Sequence, residues 1–498
     1  MSERGTTRAA ATIEALIVFG LAFVVLWLFA DRTGYEGDDI NSIVPMLNLR
    51  DALSGTLEIY RPAWQPLSYE LGTVVYSLSG SVDAIFALSQ LSIAAGIGIL
   101  YLAVRTLGLS PLFFVPVLIL FPEILYSGLY FNSSALGFPL VCLAVLLAFT
   151  GQHRASAAAI GALLSLAVLM RMDYVLIAPV VGAVRIWTRR DLAEVFIGVG
   201  AALAVFALAF FAGLLDPAAT LETYEIARDE IIAKANTPGW DDYSKVMVAT
   251  AVFSPTGFAF MLIALIWTVL TPRAWGPALI GLICLTPMIF AARNMLTPKY
   301  MLPAFALMPV IAALIWVDLS ARLSPMLYRG LAALWVGATV FFLGATLEPV
   351  REAPYLRIAL ANTKQIGTHD GARSWGGYLW QIARIPYTHA DRDVVTEILL
   401  EEVLAPRDGA VAFVGDQGYF SAGGIAWRNL QLRLAQAGYR GQVIGTEALR
   451  FDLPSGPLFL LTSSSAAAQD LTDACVIDLS QREAQATMLS TLSACWAS

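Results

Sequence analysis

The sequence predicts a polytopic α-helical membrane protein, with about eleven transmembrane helices, followed by a smaller soluble α/β domain. Three observations carry that expectation. The 498 residues are 58% hydrophobic and only 14% charged, with mean hydropathy +0.68, whereas soluble domains carry about a quarter charged residues. Apolar runs long enough to cross a bilayer, which takes ~20 residues, recur from residue 13 to residue 346. Beyond about residue 350 the composition changes to that of a soluble domain. A net charge of −7 and a pI near 5.1 speak against a nucleic-acid partner. Three histidines are few for a His-built metal site.

The first element, MSERGTTRAAATIEALIVFGLAFVVLWLFA, is basic and then apolar. A cleaved signal peptide is the competing reading. The apolar run 13–30 is long enough to span, and Asp31 follows without a small-x-small cleavage site. It is therefore read as a first transmembrane helix with a cytoplasmic N-terminus. Further runs follow at 82–104, 111–127, 134–150, 156–170, 174–188, 191–214, 246–270, 276–292, 300–317 and 326–346. The runs 156–170 and 174–188 are short, with only Arg171, Met172 and Asp173 between them. They are either two spans or one broken hairpin dipping into the membrane. With a cytoplasmic N-terminus, the inside flanks hold Arg105, His153, Arg154, Arg185, Arg189, Arg190, Arg273, Arg322 and Arg329. That is a positive-inside pattern in short loops. The outside then receives 31–81, turns near 128–133, 171–173 and 293–299, the loop 215–245 and everything after 347.

The outer loop 31–81 predicts structure of its own. Ile40, Ile43, Val44, Leu47 and Leu53 fall near helical spacing, as in a helix lying along a membrane surface. Residues 66–78, opened by Pro66, predict a second helix. In 215–245, LETYEIARDEIIAKAN predicts an amphipathic helix. Beyond 347, AVAFVGD, QVIGT, PLFLLTS and CVIDLS read as strands with helical stretches between them, the pattern of a mostly parallel sheet. Residues 1–347 thus form the membrane domain and 348–498 an extracytoplasmic α/β domain. Cys142 and Cys284 lie in apolar runs and read as small hydrophobes. Cys475 and Cys495 are either a disulfide, which an oxidising compartment allows, or two free thiols.

Four groups could carry chemistry. Asp38 and Asp39 follow the first span; they are either an N-cap for the helix after them or a general base whose pKa an apolar boundary raises. Arg61, Trp64 and Gln65 are interleaved with Pro62 and Pro66. Arg61 can bind a phosphate or carboxylate bidentately and Trp64 offers a flat face to a sugar; an interfacial aromatic belt is the plainer alternative. Arg293, Lys299 and Tyr300 stand in or beside one outer turn, where basic residues are under-represented, and suit an anionic headgroup; snorkelling to lipid phosphates is the alternative. Arg171 and Asp173 read as substrate contacts or as a mutual ion pair across a turn. Asn132-Ser133-Ser134 fits a glycosylation pattern but reads rather as a helix cap.

Taken together, these pieces resemble the GT-C integral-membrane glycosyltransferases, and among them the protein O-mannosyltransferase and aminoarabinose transferase type. The resemblance rests on a first helix, the acidic pair Asp38-Asp39 after Gly37, the segment Arg61-Pro62-Ala63-Trp64-Gln65-Pro66 between two surface helices, and Lys299-Tyr300-Met301-Leu302-Pro303. It covers about residues 13–320. The family's acidic pair is usually Asp-Glu where this chain has Asp-Asp, and Gln65 stands where the family often shows a Lys. The resemblance implies transfer of a sugar from a polyprenyl-phosphate donor to a hydroxyl of a glycan, lipid or protein acceptor, with inversion, at the outer face of a bacterial inner membrane. It implies Asp38 as the base ahead of Asp39. Arg61, Arg293, Lys299 and Tyr300 would hold the donor phosphate, and Trp64, Gln65, Arg171 and Asp173 the substrates. Membrane lipids are the remaining partners. No cofactor is demanded, and a divalent cation is compatible with the chemistry. The alternatives are a lipid or glycan transporter or flippase, and a non-catalytic membrane assembly protein on the same scaffold.

Overall fold

The computed structural model describes residues 2–29, 65–108, 133–215 and 302–344, four strands between 411 and 478, and isolated positions such as Met46 and Ser127–Gly128. The helices are α1 (Ser2–Phe29), α2 (Pro66–Ser79), α3 (Val82–Thr106), α4 (Ser133–Thr150), α5 (Arg154–Met170), α6 (Ala178–Arg189), α7 (Ala193–Phe211), the single turn α8 (Leu302–Phe305), α9 (Met308–Arg322) and α10 (Pro325–Gly344). A 3₁₀ turn, Met172–Leu176, joins α5 to α6. The strands are β1 (Val411–Val414), β2 (Val443–Gly445), β3 (Leu458–Thr462) and β4 (Cys475–Asp478). Of the expected elements, the helix at 40–53, the amphipathic helix of 215–245 and the spans 111–127, 246–270 and 276–292 lie outside the described residues, isolated positions apart, and Cys284 and Cys495 lie outside them altogether.

The chain divides into two compact units. One takes Met1–Ala30, Tyr60–Leu71 and Ala87–Arg384; the other takes Asp31–Ile59, Gly72–Phe86 and Ile385–Ser498.

Five described segments are long and apolar enough to cross a bilayer: Ala9–Leu28, Asp83–Thr106, Ser133–Thr150, Ala193–Phe211 and Leu302–Arg322; all belong to the first unit except Asp83–Phe86, which falls in the second. α1 and α7 present large apolar side chains outward, Leu28 at 70% and Phe211 at 82% exposure. In water such a surface would drive aggregation; in hydrocarbon it is the face a spanning helix needs. α5 packs between α4 and α7. Its approach to α7 depends on Gly161, where an added Cβ would collide with the backbone carbonyl of Gly198. Close backbone contact through small residues is how helices associate where no hydrophobic force separates them from lipid. Cys142 lies fully buried on α4, as its apolar setting suggests.

The α5–α6 pair returns on itself. Arg171 is extended, with φ −163° and ψ 129°, so α5 stops there. The 3₁₀ turn and α6 then run back along α4. At the returning end the buried guanidinium of Arg185 caps α4. It donates to Gly151 O at 2.7 Å and more distantly to Leu147 O and His153 O. Its Nε pairs with Glu194 of α7 at 2.6 Å. The last carbonyls of a helix have no intrahelical partners; here the Arg185 guanidinium serves Leu147 O and the carbonyls just beyond the helix, and the Thr188 hydroxyl serves Ala148 O at 2.9 Å. Arg185, expected as an inside-flank charge, is therefore an interior strut: the chain turns it inward, where carbonyls and Glu194 replace water. A second tie joins α1 to α3, with Glu14 accepting from Tyr101 at 2.6 Å and Arg105 at 2.8 Å.

In the second unit, the four strands form one parallel sheet in the order β2-β1-β3-β4. Ala412 pairs with Val443 and Phe413 with Leu460, and Leu461 pairs with Ile477. The near-continuous apolar runs VAFV and LFLLT suit strands of a parallel sheet. All four strands fall on the segments the sequence marks for them. Elsewhere in this unit, Thr73 donates its hydroxyl to Met46 O at 3.2 Å.

Candidate functional site

Of the residues singled out in the sequence, Gln65 and Arg171 are described with their side chains and Asp173 by its backbone within the 3₁₀ turn. Asp38, Asp39, Arg61, Trp64, Arg293, Lys299 and Tyr300 lie outside the described residues.

Gln65 immediately precedes α2. Pro66 begins the helix, where a missing N–H costs nothing, and Gln65 O accepts the backbone N–H of Tyr69. The Gln65 side chain folds inward, 8% exposed, and its Nε2 donates to the Tyr69 hydroxyl at 2.6 Å. This amide therefore braces the start of α2. One turn on, the fully buried Ser68 donates its hydroxyl to Met170 O at 2.6 Å. That bond fastens the first turn of α2 to the last residue of α5.

Arg171 follows at once. Its backbone N–H closes α5 on Ala167 O, and its guanidinium donates to Ser133 Oγ at 2.9 Å. Ser133 opens α4. A guanidinium carries five donors in a rigid fork, so the Ser133 bond sets the direction of the whole group. Tyr174, with no exposure, donates its hydroxyl to Ser134 O in the same first turn of α4. Its ring lies over Gly137, where an added Cβ would approach within 2.6 Å. Pro139, lacking an N–H, takes one donor out of that stretch of α4. α8 also reaches this place: it contacts α4 and the 3₁₀ turn, and Leu302, Pro303, Ala304 and Phe305 are all buried.

One end of the first unit thus gathers the start of α2, the start of α4, the end of α5, the 3₁₀ turn and α8. Two sequence candidates stand directly before these elements in the chain: the Arg61–Gln65 segment leads into α2, and Lys299-Tyr300 lead into α8. Ser68, Ser133 and Tyr174 were not expected as contributors. A serine and a tyrosine in apolar runs carry a weak signal, since their partners are remote in the chain. Among the described residues, no three His, Cys, Asp or Glu side chains come together as a metal site.

Two solved structures resemble this chain. The crystal structure of ArnT from Cupriavidus metallidurans bound to undecaprenyl phosphate superposes with a TM-score of 0.57 at 16% identity, covering 91% of this chain and 87% of that one. ArnT from Cupriavidus metallidurans in the apo state superposes with a TM-score of 0.53 at 16% identity, covering 88% and 90%. No protein-family model and no curated protein sequence matches. The likeness shows the fold: the chain shares the architecture of these two structures over about nine-tenths of its length.

Proposed function

We propose that the chain is a polyprenyl-phosphate-sugar-dependent glycosyltransferase acting at the extracytoplasmic face of a bacterial inner membrane. The observation that carries the reading is the shared fold over nine-tenths of the chain with a protein whose crystal structure holds undecaprenyl phosphate. The placement of α2, α5 and α8 supports it, since α2 and α8, which follow Arg61 and Lys299 in the chain, begin at the end where Arg171 stands.

In this reading Asp38 takes the proton of an acceptor hydroxyl, with Asp39 beside it. The acceptor oxygen forms a bond to the anomeric carbon while the bond from that carbon to the phosphate oxygen breaks. The electron pair leaves with the polyprenyl phosphate, and attack from the opposite face inverts the anomeric centre. Arg61, Arg293, Lys299 and Tyr300 stabilise the negative charge that develops on the phosphate. Trp64 stacks on a sugar, Arg171 and Asp173 hold the substrate's polar groups, and Gln65 supports the site through Tyr69. The acceptor is a hydroxyl of a glycan, lipid or protein. The β1–β4 sheet belongs, in this reading, to a domain that shapes acceptor access.

The test is consumption of a panel of undecaprenyl-phosphate sugars by the purified full chain in lipid nanodiscs, with release of undecaprenyl phosphate as the signal. Release that requires both an acceptor and Asp38 supports the reading. Binding without release, combined with lipid movement across vesicle leaflets, would favour a flippase instead.

A further inference from the structure

Gln90 belongs to none of the networks above. It lies in the third turn of α3, inside a segment of spanning length, and is 1% exposed. Neither its Nε2 nor its Oε1 meets a hydrogen-bond partner among the described residues. A buried amide left so is costly, and polar residues inside membrane spans are expensive. A leucine or methionine here would be the cheaper choice for a purely structural position.

The surroundings fix where this amide sits. α1 and α3 run antiparallel: Glu14 meets Tyr101 and Arg105, while Gly98 lies against Ala15 and Phe19. Moving toward the start of α3 therefore moves toward the end of α1. Ile93 and Leu26 both border Gly128. Gln90 lies three residues before Ile93 on the same helix face, which brings it level with the last turns of α1. The chain that leaves α1 there carries Asp38 and Asp39 within ten residues of Phe29. The amide thus stands on the buried face of α3, at the end of the helix pair that feeds the acidic segment.

A carboxamide offers two donors and an acceptor. Each of its two polar atoms finds a partner in a ligand that presents an acceptor beside a donor, such as a phosphate oxygen next to a sugar hydroxyl. We infer that Gln90 is a binding residue for the sugar-phosphate headgroup of the donor lipid, its Nε2 donating to a phosphate oxygen and its Oε1 accepting a sugar hydroxyl. This rests on the transferase reading and deepens it.

The test uses the full chain in nanodiscs and undecaprenyl phosphate as the probe, read by the shift in thermal midpoint on titration. Gln90→Met removes both polar atoms at nearly constant volume. Without lipid its midpoint should equal or exceed that of the parent, because an orphaned amide has gone. With undecaprenyl phosphate its apparent affinity should fall about tenfold, the loss of one hydrogen bond to a charged group. Gln90→Glu, which sets a carboxylate against the phosphate, should lose more. Equal lipid affinity in parent and Gln90→Met would overturn the assignment. A parent that does not respond to undecaprenyl phosphate at all would instead overturn the transferase reading on which it stands. Should Gln90→Met fail to fold, Gln90→Glu and Gln90→Ala read the same affinity, and parental affinity in a folded one of them is equally fatal.

Discussion

The Ser68 hydroxyl donates to the Met170 carbonyl at 2.6 Å, although the two residues are 102 positions apart. This bond places the start of α2, and with it the end of the Arg61–Gln65 segment, against the corner where α5 stops. Ser68→Ala removes that donor from the part-buried Met170 carbonyl, at a cost of about 0.5–1.5 kcal/mol. The expected outcome is a lower thermal midpoint in nanodiscs, together with a fall in turnover larger than any change in donor KM. A parental midpoint and turnover would show that the bond positions nothing.

Arg171 is held to Ser133 by one arm of its guanidinium. Arg171→Lys keeps the charge but loses the planar fork, which is not a conservative change at an oriented site. Donor KM should rise about tenfold, a loss of roughly 1.4 kcal/mol, with the fold intact by gel filtration. An unchanged KM would remove Arg171 from the substrate contacts.

The Arg185–Glu194 pair has side-chain exposures of 4% and 1%. Removing one partner of a buried pair strands the other charge and costs about 3–5 kcal/mol, whereas replacing both by apolar residues can be neutral. Glu194→Leu should therefore sharply lower the thermal midpoint. Arg185→Met combined with Glu194→Leu should recover much of it, but not all, because the α4 carbonyls then lose their cap. The four midpoints of the double-mutant cycle measure the coupling directly.

Gly161→Val should separate α5 from α7, since even a Cβ there meets the Gly198 backbone. Backbone cannot yield as the end of a flexible side chain can. Reduced yield of folded protein in detergent is the expected result, whereas Gly182→Ala, where an added Cβ meets nothing within 4 Å, should be tolerated.

How much of this was legible in the sequence depended on how local the cause was. Pro66 announces α2 because a proline at a first helical position needs only its own ring. The break at Arg171–Asp173 was visible as charge between two short apolar runs, and the structure gives it as a 3₁₀ turn. The four strands were visible as apolar runs bounded by turn residues. The roles of Arg185 and Tyr174 were not visible. An arginine near a span's end reads as an inside charge, and only the return of α6 along α4 turns it toward carbonyls and Glu194. Gln65 suggests a substrate contact in the sequence, and its bond to Tyr69 depends on the side chain reaching forward over the first turn of α2. Gln90 carried a faint signal, a lone amide in an apolar span, and acquires meaning only from its burial and from the end of α1 beside it.

In the proposed reaction an acid following α1 deprotonates an acceptor while a lipid phosphate departs. The most direct measurement is single-turnover release of undecaprenyl phosphate from its sugar conjugate by parent, Asp38→Asn and Asp39→Asn proteins at equal folded concentration. Asp38→Asn should lose about 10²–10⁴-fold, the usual contribution of a general base, with lipid binding retained. Parental rates in both variants would contradict it.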